Sequence, residues 1–140
     1  METLHNSNDF TLLRYPNNVY EFIFKSTTRT AADELFAQMA RVVDLTPEHG
    51  AMLLLLNVSV GIVPVSYAMK QGREFIKAYP NPRKARAAIL YKDSFIMSIA
   101  GPSLHLLRLP RLNFMLFHET QREKAIEWLT YKEAFVPVSN

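Results

Sequence analysis

The chain has 140 residues, no cysteine, and sixteen Lys and Arg against thirteen Asp and Glu, for a formal net charge of +3. That length fits one domain of ordinary size, and the lack of cysteine excludes disulfides, thiolate metal sites and a cysteine nucleophile. The small charge excess does not by itself imply nucleic acid, and the longest wholly apolar run, 51–56, falls far short of the about 20 residues a membrane-spanning helix takes. Residues 1–8 are polar and carry no leader pattern of a basic head and apolar stretch, so they read as a flexible N-terminus.

Two strands are predicted at 10–15 and 19–25. Pro16-Asn17-Asn18 between them favours a tight reversal and an antiparallel hairpin. In the second strand Tyr20, Phe22 and Phe24 alternate with Glu21, Ile23 and Lys25, giving one buried face and one mixed face. Thr30 stands three residues before Asp33 as a short capping box. Ala32, Leu35, Phe36, Met39, Val42 and Val43 then follow at helical spacing until Pro47 and Gly50. The apolar run 51–58 fits a central strand covered on both faces. Pro64 suits the first turn of a second helix, with Val65, Ala68, Met69, Gly72, Phe75, Ile76 and Tyr79 on its inner stripe. Gly72 costs that helix about 1 kcal/mol relative to alanine, so close packing against the sheet is the expected compensation. Pro80-Asn81-Pro82 ends the helix, and 86–91 is a fourth strand. A third helical region spans Phe95 and Ile96 to Arg108, kinked at Gly101-Pro102. The run 113–117 is a fifth strand. Thr120 and Glu123 form a capping box for a last helix along Ala125, Ile126 and Leu129.

Helices between successive strands require crossovers and hence parallel neighbours. The expected fold is α/β: a five-stranded, mixed, mostly parallel sheet with about four helices, in the order β-β-α-β-α-β-α-β-α. One domain over 9–135 would carry it, followed by a tail at 136–140.

Three stretches carry a resemblance to a known family: 51–57, a central strand ending in the polar Asn57; Pro64 with the helix from Tyr67 to Phe75; and 113–117 running through Thr120, Ala125, Trp128 and Leu129. Together they resemble the STAS-like family, particularly its SpoIIAA-like branch of small stand-alone domains, over nearly the whole chain. The resemblance implies a non-enzymatic cytoplasmic regulatory module that works by protein contact, with no cofactor. In the regulatory members, antagonists of anti-sigma factors, a serine at the start of the second helix is phosphorylated in an Asp-Ser-Ser-Gly-Leu setting. Counted without gaps, that motif falls on Val65, Ser66, Tyr67, Ala68 and Met69. The aspartate is missing, Tyr67 stands where the phosphorylated serine would, and Ser66 remains as the candidate phosphosite or as a plain first-turn polar residue.

The loop 58–63 is unusually apolar for an exposed connection. Asn57, Ser59, Val60, Ile62, Val63 and Tyr67 are therefore the candidate partner or ligand residues. A covered or self-associating loop, as in a homodimer, is the first reading. A pocket for an apolar ligand or lipid, as on a Sec14-like sheet, is the alternative. The basic residues Lys77, Arg83, Lys84, Arg86, Arg108 and Arg111 read as a solvated face, or else as a site for phosphate or an acidic partner. His5, His49, His105 and His118 lack a matching ligand spacing, so no metal is expected. His118 sits at a strand's carboxyl end, where open α/β sheets place ligands, and reads as a capping or surface histidine. The residual enzymatic reading would combine Ser59, Asn57 and His118.

Overall fold

A computed structural model describes residues 1–61, 64–78, 84–92 and 112–131. Six strands form one sheet in sequence order: β1 (Glu2–Asn6), β2 (Phe10–Arg14), β3 (Val19–Phe24), β4 (Ala51–Asn57), β5 (Lys84–Tyr91) and β6 (Leu112–His118). β1, β2 and β3 are antiparallel neighbours, whereas β3 through β6 run parallel. The helices are α1 (Arg29–Leu45), α2 (Val65–Ala78) and α3 (Arg122–Thr130), the last preceded by a 3-10 turn, Glu119–Gln121. The mixed α/β class and the parallel majority follow the sequence expectation. The strand count does not: there are six strands, not five, and three α-helices among the described residues. The predicted kinked helix at 95–108 lies outside them.

The additional strand comes from the polar opening segment. β1 pairs along β2 with a bulge between Thr3 and His5, and its Leu4 packs on the core. Polar groups then tie it down: His5 Nε2 lies 2.9 Å from Glu34 Oε1 on α1, and Arg41 of α1 donates to the Leu4 carbonyl. Composition alone hid this strand because its anchoring depends on a helix thirty residues away.

The β2–β3 reversal is as predicted. Asn18 takes φ 63°, a left-handed conformation asparagine tolerates, and its N–H donates to the Tyr15 carbonyl at 2.9 Å. On one face of the sheet Phe10, Leu12, Tyr20, Phe22, Phe24, Met52 and Leu54 pack against Ala31, Leu35, Val42 and Val43 of α1. Phe10 and Phe24 meet edge to face at 5.5 Å, an arrangement worth about 0.5–1.5 kcal/mol beyond area burial. α2 lies beside α1, with Phe36 and Phe75 rings 5.8 Å apart. A Cβ on Gly72 would sit 3.3 Å from Phe36 Cζ. The close approach that Gly72 permits is therefore to a helix, not to the sheet as the sequence suggested. The opposite face packs Val19, Leu55, Ala88 and Leu90 against Ala125 and Leu129 of α3.

Two helix starts differ from expectation. α1 is capped by Thr28, whose Oγ1 accepts from Ala31 N at 3.3 Å, leaving Thr30 inside the first turn. Ser26 and Asp9 fix that hydroxyl from behind, an arrangement formed across the sheet and so invisible to local spacing. At α3 the box shifts upstream from Thr120 and Glu123. His118 Nδ1 accepts from Thr120 N at 3.3 Å, and Gln121 Oε1 accepts from His118 N at 3.4 Å. The 3-10 turn starts the coil early, which moves the unsatisfied N–H groups with it.

Candidate functional site

The parallel strands all end at one edge, and two polar assemblies sit there. The first is built on Glu21, which β3 points toward the α3 face. Only 1% of this residue is exposed. A carboxylate there needs partners, since an unpaired buried charge is costly. Glu21 Oε1 accepts from Tyr15 OH at 2.6 Å and from Arg122 Nη2; Oε2 accepts from Arg122 Nη1 at 2.8 Å and from Asn57 Nδ2 at 3.1 Å. Arg122 also donates to Tyr15 OH at 3.0 Å. The fork of Arg122 thus grips both carboxylate oxygens, the geometry in which arginine binds carboxylates best.

Burial pushes the Glu21 carboxyl up, but the hydrogen bonds from Arg122, Tyr15 and Asn57 outweigh it and hold the group below its ordinary range. Burial and the neighbouring carboxylate push the Tyr15 phenol up. The bond to Glu21 raises the Arg122 guanidinium. All three groups are fixed in single charge states near neutrality.

The second assembly is the β4–α2 corner. Asn57 turns its other side-chain atom outward: Oδ1 accepts from Ser59 N at 3.1 Å and Ser59 Oγ at 2.6 Å. Gly61 takes φ +150°, disfavoured for other residues, and lies against Thr27 of the β3–α1 connection. Between these fixed points Val60 is 44% exposed. Beyond them Tyr67, in the first turn of α2, donates to Asp33 Oδ1 at 2.5 Å, with the Arg29 guanidinium 4.9 Å over its ring. The Asp33 bond raises the Tyr67 phenol from its ordinary value. Ser66 beside it is exposed. Among the described residues of the corner, Val60 is the exposed large apolar side chain, flanked by these hydrogen-bonded groups.

The structure therefore brings Asn57, Ser59, Val60, Ser66 and Tyr67 to one corner; Ile62 and Val63 lie outside the described residues. His118 stands apart in its own arrangement. Its Nε2 lies 3.0 Å from the Lys92 carbonyl, which can only accept, so Nε2 carries the proton and Nδ1 accepts from Thr120 N and Oγ1. That tautomer is the one a cap requires, and both ring nitrogens are engaged in it. Ser59, for its part, bonds to Asn57, so no described contact joins the three residues of the enzymatic reading.

Arg86 is the second buried charge on the α3 face. It donates to the Trp128 carbonyl at the end of α3, and its guanidinium lies 4.3 Å from the Trp128 ring centroid. Burial lowers its affinity for the proton, but an arginine stays charged all the same. Its interior position removes it from the solvated basic face assigned to it by composition. Sequence reasoning did not single out Glu21, Arg122 or Tyr15. One signal was available: Glu21 sits early on the mixed face of a strand that pairs with the apolar run of β4.

Among the described residues no group of three or more His, Asp or Glu is placed to hold a metal ion, and no helix is long and apolar enough to cross a membrane. The chain matches no family model, no curated protein and no solved structure.

Proposed function

We infer that this chain is a non-enzymatic, STAS-like interaction module that works by protein contact, with the β4–α2 corner as its contact surface. The observation that carries the reading is the division of labour in the corner. Asn57, Ser59 and Tyr67 are spent on internal hydrogen bonds, while Val60 is left 44% exposed. An exposed apolar side chain beside a hydrogen-bonded segment, with its neighbours already tied, loses little entropy on binding, which favours a protein surface over a small substrate. The strand and helix order supports the STAS-like assignment at the level of architecture, and fold alone does not supply function. A regulatory role in the cytoplasm, without cofactor, belongs to the same proposal.

Immobilised wild-type and Val60→Asp proteins, exposed to the same cell extract, test it. The expected result is a partner captured by wild type, lost with Val60→Asp and retained by Glu48→Ala, which changes an exposed residue in a different loop. A capture pattern identical for all three proteins would reject the corner as the contact surface.

A further inference from the structure

The outward faces of α2 and α3 carry opposite charge in matching rows. On α2, Lys70, Arg73 and Lys77 follow one another at spacings of three and four, all exposed. On α3 and its leading turn, Glu119, Glu123 and Glu127 do the same at spacings of four, the first partly exposed and the others exposed. Residues three or four apart share a helix face, and at 1.5 Å rise per residue each row is on the order of 10 Å long. Glu74, four residues after Lys70 and three before Lys77, shares the basic face, and Lys124, three before Glu127, shares the acidic one, so each face holds three charges of one sign and one of the other. Among the described residues the ion pairs are His5–Glu34 and Arg122–Glu21, and neither includes a member of these rows. The like charges three or four apart are offset in part by Lys70–Glu74, Glu74–Lys77 and Lys124–Glu127, and what remains is a basic excess on α2 and an acidic excess on α3. Apolar surface lies next to each: Ile76 is 37% exposed beside the basic row, and Tyr131 is 59% exposed just past the acidic one.

We propose that the chain self-associates head to tail, the basic row of α2 in one copy against the acidic row of α3 in the next. Charge complementarity selects a second copy, because both halves of the contact are present on one chain. The two helices lie on opposite faces of the sheet, α2 beside α1 and α3 over Leu55, Ala88 and Leu90. A copy engaged through α2 therefore keeps its α3 row free. Such a contact is heterologous, adds copies in series and does not close as a two-fold dimer. The proposal extends the interaction reading but uses different side chains from the corner, so either can fail without the other.

Sedimentation velocity of the full chain over a range of concentrations tests it, at about 20 mM and about 500 mM salt, where screening differs several-fold. At low salt the weight-average mass should climb with concentration past that of a dimer; at high salt it should fall to the monomer. Lys70→Glu combined with Lys77→Glu should be monomeric at low salt, and so should Glu123→Lys combined with Glu127→Lys. Mixing those two variants in equal amounts should restore association, because each then supplies what the other lacks. A wild type that stays monomeric at low salt overturns the proposal, as it would if these rows serve an unrelated partner. Association that ignores salt, survives both charge reversals or is not restored by mixing overturns it equally.

Discussion

Glu21 shows what one charge demands of its surroundings. Its carboxylate has surrendered water, and the fork of Arg122 with Tyr15 and Asn57 replaces what it lost. Removing Arg122 leaves the charge buried and short of a counter-ion. Breaking a buried pair in that way costs about 3–5 kcal/mol; because Arg122 is over a third exposed, water recovers part of this, and Arg122→Met should cost about 2–3 kcal/mol in urea denaturation. The double variant with Glu21→Gln should be less destabilised than the sum of the two single changes. The pH dependence has a definite sign. The folded-state affinity of Glu21 for a proton is lowered, so below its ordinary value of 4.5 the unfolded chain binds more protons than the folded one. The contribution of Glu21 is fully present above pH 4.5 and is lost as pH falls through the lower folded value. Glu21→Gln should therefore flatten the acid limb of the stability curve measured between those limits. A limb unchanged by Glu21→Gln would assign acid sensitivity to other carboxylates.

At the scale of elements, helix positions follow from polar groups that meet across the sheet. α3 is held at both ends by side chains from strands: Arg122 reaches Glu21 of β3 at its start, and Arg86 of β5 reaches the Trp128 carbonyl at its finish. A guanidinium at a helix C-terminus also meets the negative end of the dipole. The apolar stripes of the helices were readable from spacing, because Leu35, Val42 and Val43 or Ala125 and Leu129 recur with the helical period. The caps were not, because Thr28 is oriented by Ser26 and Asp9, and His118 by the Lys92 carbonyl. Gly72 was legible as a close approach but not as to what. Its neighbour is Phe36 of α1, so the consequences of substitution differ from those of a helix–sheet contact. Alanine there gains about 1 kcal/mol of helix propensity and spends most of it moving the Phe36 ring a few tenths of an ångström. Gly72→Ala should change the urea midpoint little. Gly72→Leu should lose about 1–3 kcal/mol by overpacking, and a leucine variant as stable as wild type would refute the contact.

For the molecule as a whole, the order of strands follows the order of the chain, so each pairing is built on its predecessor from one edge to the other. The parallel part was legible because the stretches Ala51 to Leu56 and Phe114 to Phe117 are continuously apolar, as strands covered on both faces are. The outermost strand was not. β1 contains only Leu4 as a core-facing apolar residue, and its hold on the sheet comes from β2, from Glu34 and from Arg41. Lys25 adds to it by donating to the Ser7 carbonyl at 2.6 Å and to Asn6 Oδ1 at 3.1 Å. The bulge between Thr3 and His5 and the polar side chains of this strand also blunt the sheet's edge. Deleting residues 2–6 would therefore do two separable things. It would remove Leu4 and a row of backbone hydrogen bonds, costing about 2–3 kcal/mol on the scale of one buried leucine and its surroundings. It would also bare β2, whose Phe10 and Leu12 alternate with Thr11 and Leu13 on a flat, unguarded edge. The truncated protein should still unfold in a single transition, since the core of β3, β4 and β5 is untouched, but it should scatter light increasingly with time at concentrations where the full chain stays clear. Truncation that leaves both the urea midpoint and the scattering unchanged would mean that β1 neither stabilises the sheet nor protects its edge.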